Sequence, residues 1–346
     1  MVDILVAGAG IGGTTVARLL ARAGHRVTLL ERASGGGAPG AGLVLTDTSL
    51  RTLAAAGVDV RPAARALPVL QLTGPDGRGR GGVRGRSALT RPDLAAHLTE
   101  GLDGLVDVRL GEALTGLHPE GSGVVCVSGP EGARREHRVD LVVGADGLRS
   151  TVRRTVDPTV PLRSAGQVCW RGIVHHEFGD RASELWTGRD RVGIVPLTAG
   201  RSYVFVVRPV DPGPPDLSPV PGVPGREAAA VRALQALPPA ELLRHDLLEL
   251  DRPVWGTGRV LLLGDAAHAM TPNTGLGAAF AIEDAVALVR SLADGLDGVT
   301  RRYRSARHRR VRTVQLVSRA AGRLAHSPHP AARRVRRSLG LQVPGR

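Results

Sequence analysis

The stretch "DILVAGAGIGGTTVARLLARAGHRVTLLE", residues 3–31, constrains the fold more than any other part of the chain. A short apolar strand runs into a glycine turn, then into apolar residues at helical spacing, then into a second apolar strand that ends on Glu31. Strand, helix and strand in immediate succession make a β-α-β unit, which implies a parallel pair. Gly8, Gly10 and Gly13 fall in the G-x-G-x-x-G spacing, with Ile11 and Gly12 completing the turn. Gly8 permits the tight turn, Gly10 lets a pyrophosphate approach the backbone, and Gly13 lets helix and strand pack closely; the helix N-terminus attracts the anion. Glu31 stands 18 residues after Gly13, placed to accept hydrogen bonds from a ribose hydroxyl. These residues predict a dinucleotide site without separating FAD from NAD.

Helices are expected over about 46–56 and 91–101, the second begun by Pro92-Asp93, with a loop-rich "GPDGRGRGGVRGR" at 74–86 between them. Alternating stretches from 105 to 144 predict a β-meander returning to a buried strand. "VCWRGIV", "RVGIVPL" and "SYVFVV", between about 163 and 207, predict antiparallel strands of a second sheet, and 210–225 is a Pro-rich loop. "RVLLLG" and a helix from about Gly275 to Ala293 bring the chain back to the first layer. The expected fold is therefore α/β: a Rossmann-like domain with a β-meander, an antiparallel-sheet substrate domain, and C-terminal helices. The first takes residues 1–70, 90–160 and 251–295, the second 71–89 and 161–250, and the helix and Arg-rich tail 296–346.

At 346 residues a sizeable core is affordable, and no apolar run reaches membrane-spanning length. The N-terminus enters a strand directly, so a cytoplasmic protein is expected. Cys126 and Cys169 have no CxxC spacing, which predicts buried thiols and no metal site. The net charge of +14 comes from a chain without lysine, and 14 Arg with no acidic residue lie between 301 and 346. That leaves 32 Arg against 32 acidic residues before the tail. Val311, Val314, Val317, Ala321 and Leu324 share one helical face, which predicts an amphipathic docking helix with a solvated basic side. Contact with an anionic membrane surface is the sharper alternative; nucleic acid is disfavoured because no stacking aromatics accompany the tail.

Two further motifs carry chemistry. "VVGADGLRSTVR", 142–153, ends a buried strand at an Asp146-Gly147 turn. "LLLGDAAHAMTPNTGLGAAFAIEDA", 261–285, sets Asp265 at the mouth of a buried strand and crosses a Pro and Gly turn into a helix. Together with "GAGIGG" these motifs resemble the group A flavoprotein monooxygenases, the family of para-hydroxybenzoate hydroxylase, from residue 2 to about 324.

The resemblance implies FAD, with NADH or NADPH as transient reductant and dioxygen as co-substrate. It implies that a flavin C4a-hydroperoxide hydroxylates or epoxidises an aromatic or polycyclic small molecule without a metal. It places Asp265 on the ribityl chain, and Pro272, Gly275, Leu276 and Gly277 beside the isoalloxazine. Arg32 falls near the adenosine half, Leu114 near the adenine, and Arg91 near the ribityl and phosphate region; residues 40–58 pass the flavin ring. Asp146 matches a carboxylate associated with flavin and nicotinamide binding. Ala269, Leu276 and Ala279-Phe280 depart from the residues common in relatives, which predicts a more apolar flavin edge.

A base would raise the electron density of a phenolic substrate. Candidates are His175, His176 and Tyr203, with Arg171 and Arg201 as carboxylate partners. His268 is expected to bond locally and Trp170 to pack, and no catalytic residue is assigned. A flavin-dependent halogenase is disfavoured by the absent Lys and WxWxIP motif. A flavin-dependent reductase or oxidase of an isoprenoid- or polyketide-like substrate stays open, as does a non-catalytic flavin-binding interaction protein.

Overall fold

The computed structural model describes residues 1–35, 41–74, 76, 78–130, 133–210, 217, 220, 223 and 225–341. Most of the Pro-rich 210–225 stretch lies outside the described residues. The first sheet joins β1 (Asp3–Ala7), β2 (Arg26–Glu31), β8 (Asp107–Leu110), β12 (Leu141–Gly144), β18 (Gly256–Thr257) and β19 (Val260–Leu262), in the order β18-β19-β12-β1-β2-β8. All its pairs are parallel except β18 with β19. The expected meander is β9 (Leu114–Glu120), β10 (Gly123–Ser128) and β11 (Arg135–Val139), a separate antiparallel sheet.

The third sheet has seven strands in the order β17-β13-β16-β15-β14-β5-β6. They are β5 (Leu70–Thr73), β6 (Gly79–Val83), β13 (Leu162–Val174), β14 (Ala182–Trp186), β15 (Arg191–Pro196), β16 (Ser202–Pro209) and β17 (Leu243–Leu250). A fourth sheet, β3 (Gly42–Thr46), β4 (Arg65–Leu67) and β7 (Arg86–Thr90), bridges the first and third. Within the expected loop at 74–86 the structure thus has an edge strand. Its glycines hide it from a pattern search, yet Gly82 is needed because a Cβ there would stand 2.9 Å from the Leu70 carbonyl oxygen.

Nine helices complete the described residues: α1 (Ile11–Arg22), α2 (Asp47–Ala55), α3 (Arg91–Thr99), α4 (Thr151–Val156), α5 (Gly225–Gln235), α6 (Asp265–His268), α7 (Gly277–Ala293), α8 (Val299–His326) and α9 (Pro330–Ser338). Thr46 and Thr90 cap α2 and α3 by accepting from Ser49 and Asp93 N–H. α1 and α7 pack with the parallel sheet in one core that holds Ile4, Val16, Leu20, Leu263, Phe280 and Leu288.

α8 covers most of the apolar face expected of it: Val311 is buried, Val314 and Leu324 pack on core clusters and Ala321 is half-buried, while Val317 is 53% exposed. Its fully buried line, Val299, Tyr303, Arg307, Val311, Gln315, Ser318, Gly322 and Ala325, is turned to one side of that face and carries polar residues. The partners of Arg307 lie on α7. Asp284 is fully buried there; its Oδ2 accepts from Gly264 N–H at 3.0 Å and meets His268 Nε2 at 2.5 Å, and its Oδ1 accepts from Arg307 Nε at 2.7 Å. Arg307 also reaches Glu283 at 2.8 Å and lies over the Phe280 ring. Gln315 donates to the Leu250 carbonyl at 2.9 Å. An unpaired carboxylate in the core would cost more than burying a few CH₂ groups gains, so these polar partners turn the helix away from the centre of its valine face.

Burial opposes the charge on Asp284, but His268, Arg307 and the Gly264 N–H together hold its carboxyl below the usual carboxylate range. A depressed folded-state pKa contributes stability above the unfolded value, and that contribution is lost as pH falls through the folded value. Asp284→Asn is therefore expected to cost on the order of 3 kcal/mol at neutral pH. In thermal melts, the gap between wild type and variant should hold from pH 7 to about pH 4 and close below it.

Candidate functional site

Three chain segments meet at the carboxyl ends of the parallel strands, where ligands bind in open α/β sheets. Gly8 has φ +100°, and a Cβ on it would stand 2.6 Å from the Ala145 carbonyl oxygen. A Cβ on Gly13 would collide with the Gly8 carbonyl oxygen, and one on Gly12 would press on Ala281 at 3.1 Å. These glycines therefore let the β1, β12 and α7 segments close on one another. Gly10, Gly275 and Gly277 differ, because a Cβ on any of them meets nothing within 4 Å. Open space thus lies beside the backbone at the N-termini of α1 and α7, whose leading N–H groups have no partner within the helix.

Around this space the polar groups suit a dinucleotide. Glu31 accepts from Ala9 and Ala33 N–H, each at 2.8 Å, which fixes its carboxylate at the end of β2. Asp265 is exposed at the start of α6. Asp146 Oδ2 accepts from Thr151 N–H at 2.6 Å, and its Oδ1 is buried with no hydrogen-bond partner, leaving an acceptor for a donor not supplied by the protein. Arg153, missed in the sequence, joins these motifs: it is buried and donates to the Ala266 and Leu148 carbonyls at 2.9 and 2.7 Å. Arg32 and Arg91 are exposed, and neither has a carboxylate partner among the described residues. Leu114 is buried at the start of β9, in a cluster with Ala7 and Leu30. Pro272 opens a 3₁₀ turn that closes on Gly275 at φ +64°, and Leu276 caps α7 while packing on the core. The donor set and the open glycine backbone fit FAD.

The seven-stranded sheet faces this cleft through residues that alternate with its α5-covered side. Val168, Trp170, Val174 and Phe178 belong to the α5 side. On the inner face, register aligns Arg171, Phe205, Gly193 and Glu184 in one row, and Ile173, Tyr203 and Val195 in the next. Gly42 of β3 passes so close to Tyr203 that any Cβ would strike the ring. Val44, Leu67, Leu70 and Leu197 pack with Ile173 and Tyr203, giving this face an apolar wall.

Polar groups on the wall are few. Arg191 is 2% exposed, 3.1 Å from Glu184 Oε1 and 2.5 Å from Asn273 Oδ1, so it ties the sheet to the Pro272 turn. Asn273 in turn donates to Thr271 Oγ1 and the Ser318 carbonyl. Arg171 has no carboxylate partner among the described residues, and its Nε is buried without an acceptor. Burial pushes the Tyr203 pKa well up and outweighs Arg171, which favours the phenolate, so the hydroxyl stays protonated. Burial likewise pushes the Cys169 thiol up to about 11. His245, exposed on the edge strand β17, has its pKa lowered by partial desolvation and by Arg171, Arg91 and Arg244.

Of the candidates for a base, only Tyr203 faces the cleft, and it does so as a donor. His175 and His176 are exposed beyond β13, the His176 ring lying 4.5 Å from Phe178 on the α5 side. Arg201 sits in the β15–β16 turn, 3.6 Å from Asp93. His245 went unnoticed in the sequence because "LLRHDLLEL" carries no motif, and only strand pairing brings it opposite Cys169.

Known proteins agree with this geometry. The FAD binding domain family matches residues 1–217 and 249–321. The 2-heptyl-3-hydroxy-4(1H)-quinolone synthase of Pseudomonas aeruginosa is 35% identical over 99% of this chain and 94% of its own. The aurachin C monooxygenase/isomerase of Stigmatella aurantiaca is 31% identical over 97% of this chain and 93% of its own. Klebsiella pneumoniae HpxO, solved with FAD and uric acid, superposes with a TM-score of 0.86 at 24% identity, covering 98% of this chain and 92% of that one.

Gly10 and Gly13 should separate cofactor binding from folding. Gly10 has φ −70° and open space, so Gly10→Ala is expected to leave the melting temperature of the apoprotein unchanged while weakening FAD binding about 10-fold in a fluorescence titration. Gly13→Ala should cost on the order of 2 kcal/mol in stability even without flavin.

Proposed function

Because this chain belongs to the group A FAD-dependent aromatic monooxygenases, we propose that it hydroxylates a ring bearing a conjugated oxygen and an apolar substituent, of which a 2-alkyl-4(1H)-quinolone is the working example. The observation that carries this reading is the presence of two donors without a carboxylate partner, Arg171 and Tyr203, beside an apolar wall of Ile173, Val195, Leu197 and Leu70. Bound FAD supplies the redox chemistry, taking a hydride from NADH or NADPH and passing one atom of dioxygen to the substrate while the other leaves as water.

The protein's part is placement and electrostatics. Arg171 and the protonated Tyr203 hydroxyl hold the ring oxygen, and the Arg171 cation stabilises the negative charge that gathers on it as the adjacent carbon becomes nucleophilic. Ile173, Val195, Leu197 and Leu70 exclude water from the apolar side. His245 is neutral near pH 7, because its pKa is lowered, and takes the proton that the substrate loses. Arg191 fixes Asn273 and with it the turn against the flavin. The name of one relative, a 2-heptyl-3-hydroxy-4(1H)-quinolone synthase, supports a heteroaromatic ring.

The test is turnover of 2-heptyl-4(1H)-quinolone with NADH or NADPH under ¹⁸O₂. One labelled oxygen per product is expected; an oxidised or reduced product without label would favour the reductase or oxidase alternative. Arg171→Met should raise KM about 10-fold or more, with flavin content unchanged. His245→Gln should flatten the acid limb of the kcat/KM profile, which in wild type falls as pH drops through the lowered His245 pKa.

A further inference from the structure

The arginines that crowd the C-terminal region divide into two groups. Six are engaged within the fold: Arg302 on the Ser291 and Asp297 carbonyls, Arg307 and Arg310 on Glu283, Arg312 on the Asp251 carbonyl, Arg319 on Glu249, and Arg336 on the Leu324 and Ser327 carbonyls at 2.6 and 2.8 Å. The others among the described residues of α8 and α9 have no carboxylate partner, and no acidic residue follows position 300 to offer one locally.

α9 is the sharpest case. Its only buried side chain is Arg336, which pins it to the end of α8. Leu341, just beyond it, is buried against Trp186 of β14, Ala325 of α8 and Leu72 of β5. Most of the rest of the helix is exposed. Val335 and Leu339, one turn apart, are 45% and 48% exposed on one side of it, and the exposed Arg333, Arg334 and Arg337 occupy the opposite side. A nine-residue helix pinned by a buried arginine, with an aliphatic stripe on one side and cations on the other, has the form of an interfacial helix.

We propose that α9 docks the protein on an anionic lipid bilayer. Val335 and Leu339 enter the headgroup boundary, and Arg333, Arg334 and Arg337 pair with lipid phosphates. A second copy does not suit this face, since two such surfaces would bring like charges together. Nucleic acid suits it less well, because Tyr303, the sole aromatic after residue 300, is buried in the core. Through Leu341 the docked helix brings Trp186 of β14 and Leu72 of β5, in the seven-stranded sheet, near the bilayer. If the reading under the previous heading holds, this is where a lipophilic substrate partitions; docking itself does not depend on it.

The flavin-loaded full chain is sedimented with vesicles of phosphatidylcholine containing about one-third phosphatidylglycerol, and with phosphatidylcholine alone. Most of the protein should pellet with the anionic vesicles at low salt, little with the neutral ones, and the bound fraction should drop several-fold near 0.5 M NaCl, where the Debye length is about 4 Å. Val335→Ser with Leu339→Ser keeps the charge and should lower partitioning at least 5-fold. Arg333→Glu, Arg334→Glu and Arg337→Glu together should abolish it. Because these side chains face outward, all variants should keep wild-type flavin content and melting temperature. Equal pelleting with neutral and anionic vesicles, no pelleting at low salt, or wild-type partitioning of the Val335/Leu339 variant would each overturn the proposal, whether or not the protein hydroxylates any quinolone.

Discussion

The buried carboxylate of Asp284 is the junction on which the cofactor half of the molecule depends. It receives a backbone N–H from Gly264, where β19 leaves the sheet, the His268 ring at the end of α6, and the Arg307 guanidinium from α8. One side chain therefore fixes the exit of a strand, the direction of a short helix and the rotation of a long one. Asp265, exposed beside Gly264, owes its position to this arrangement and to Arg153 beneath it. A charge of this kind is tolerable only when both oxygens are satisfied. Here they are, and Glu283 and Arg310 extend the pairing outward to the surface.

In a chain without lysine, the guanidinium becomes the general connector between layers. Arg153 links two cofactor motifs, Arg191 links the substrate sheet to the Pro272 turn, Arg307 links α7 to α8, and Arg336 links α9 to α8. In each, a planar fork meets carbonyls or carboxylates from segments distant in sequence, a geometry that the single ammonium of lysine does not reproduce. Against this background Arg171 stands out, since it faces the cleft with no carboxylate partner among the described residues.

The sequence was most legible where local periodicity and turn chemistry coincide. The β-α-β opening, the meander and the strand that ends at Gly264 follow from alternation, helical spacing and glycine, all within a few residues. Less legible were features made by pairing across the chain. Arg191 meets Asn273 over 82 positions and His245 faces Cys169 over the width of a strand pair, so neither leaves a pattern in its own neighbourhood. On α8 the valines mark one face and the acids on α7 turn the helix within it, so Val311 and Val314 stay covered while Val317 meets solvent. β6 was taken for loop because glycine, the residue that marks turns, is also the residue that lets an edge strand lie close to its neighbour. His175 and His176 drew notice as residue types, and their place beyond the end of β13 could be seen only in the fold.

The core around the parallel sheet is assembled from segments far apart in the chain. β1 and β2 come from the first 31 residues, but α7, which packs on α1, spans 277–293, and Arg307 follows on α8. A nascent chain emerging from the ribosome thus exposes the glycine turn and the apolar side of α1 long before their covering helix exists. The flavin cleft can close only once α7 and α8 have been made, so its first motif waits, half built, for its last.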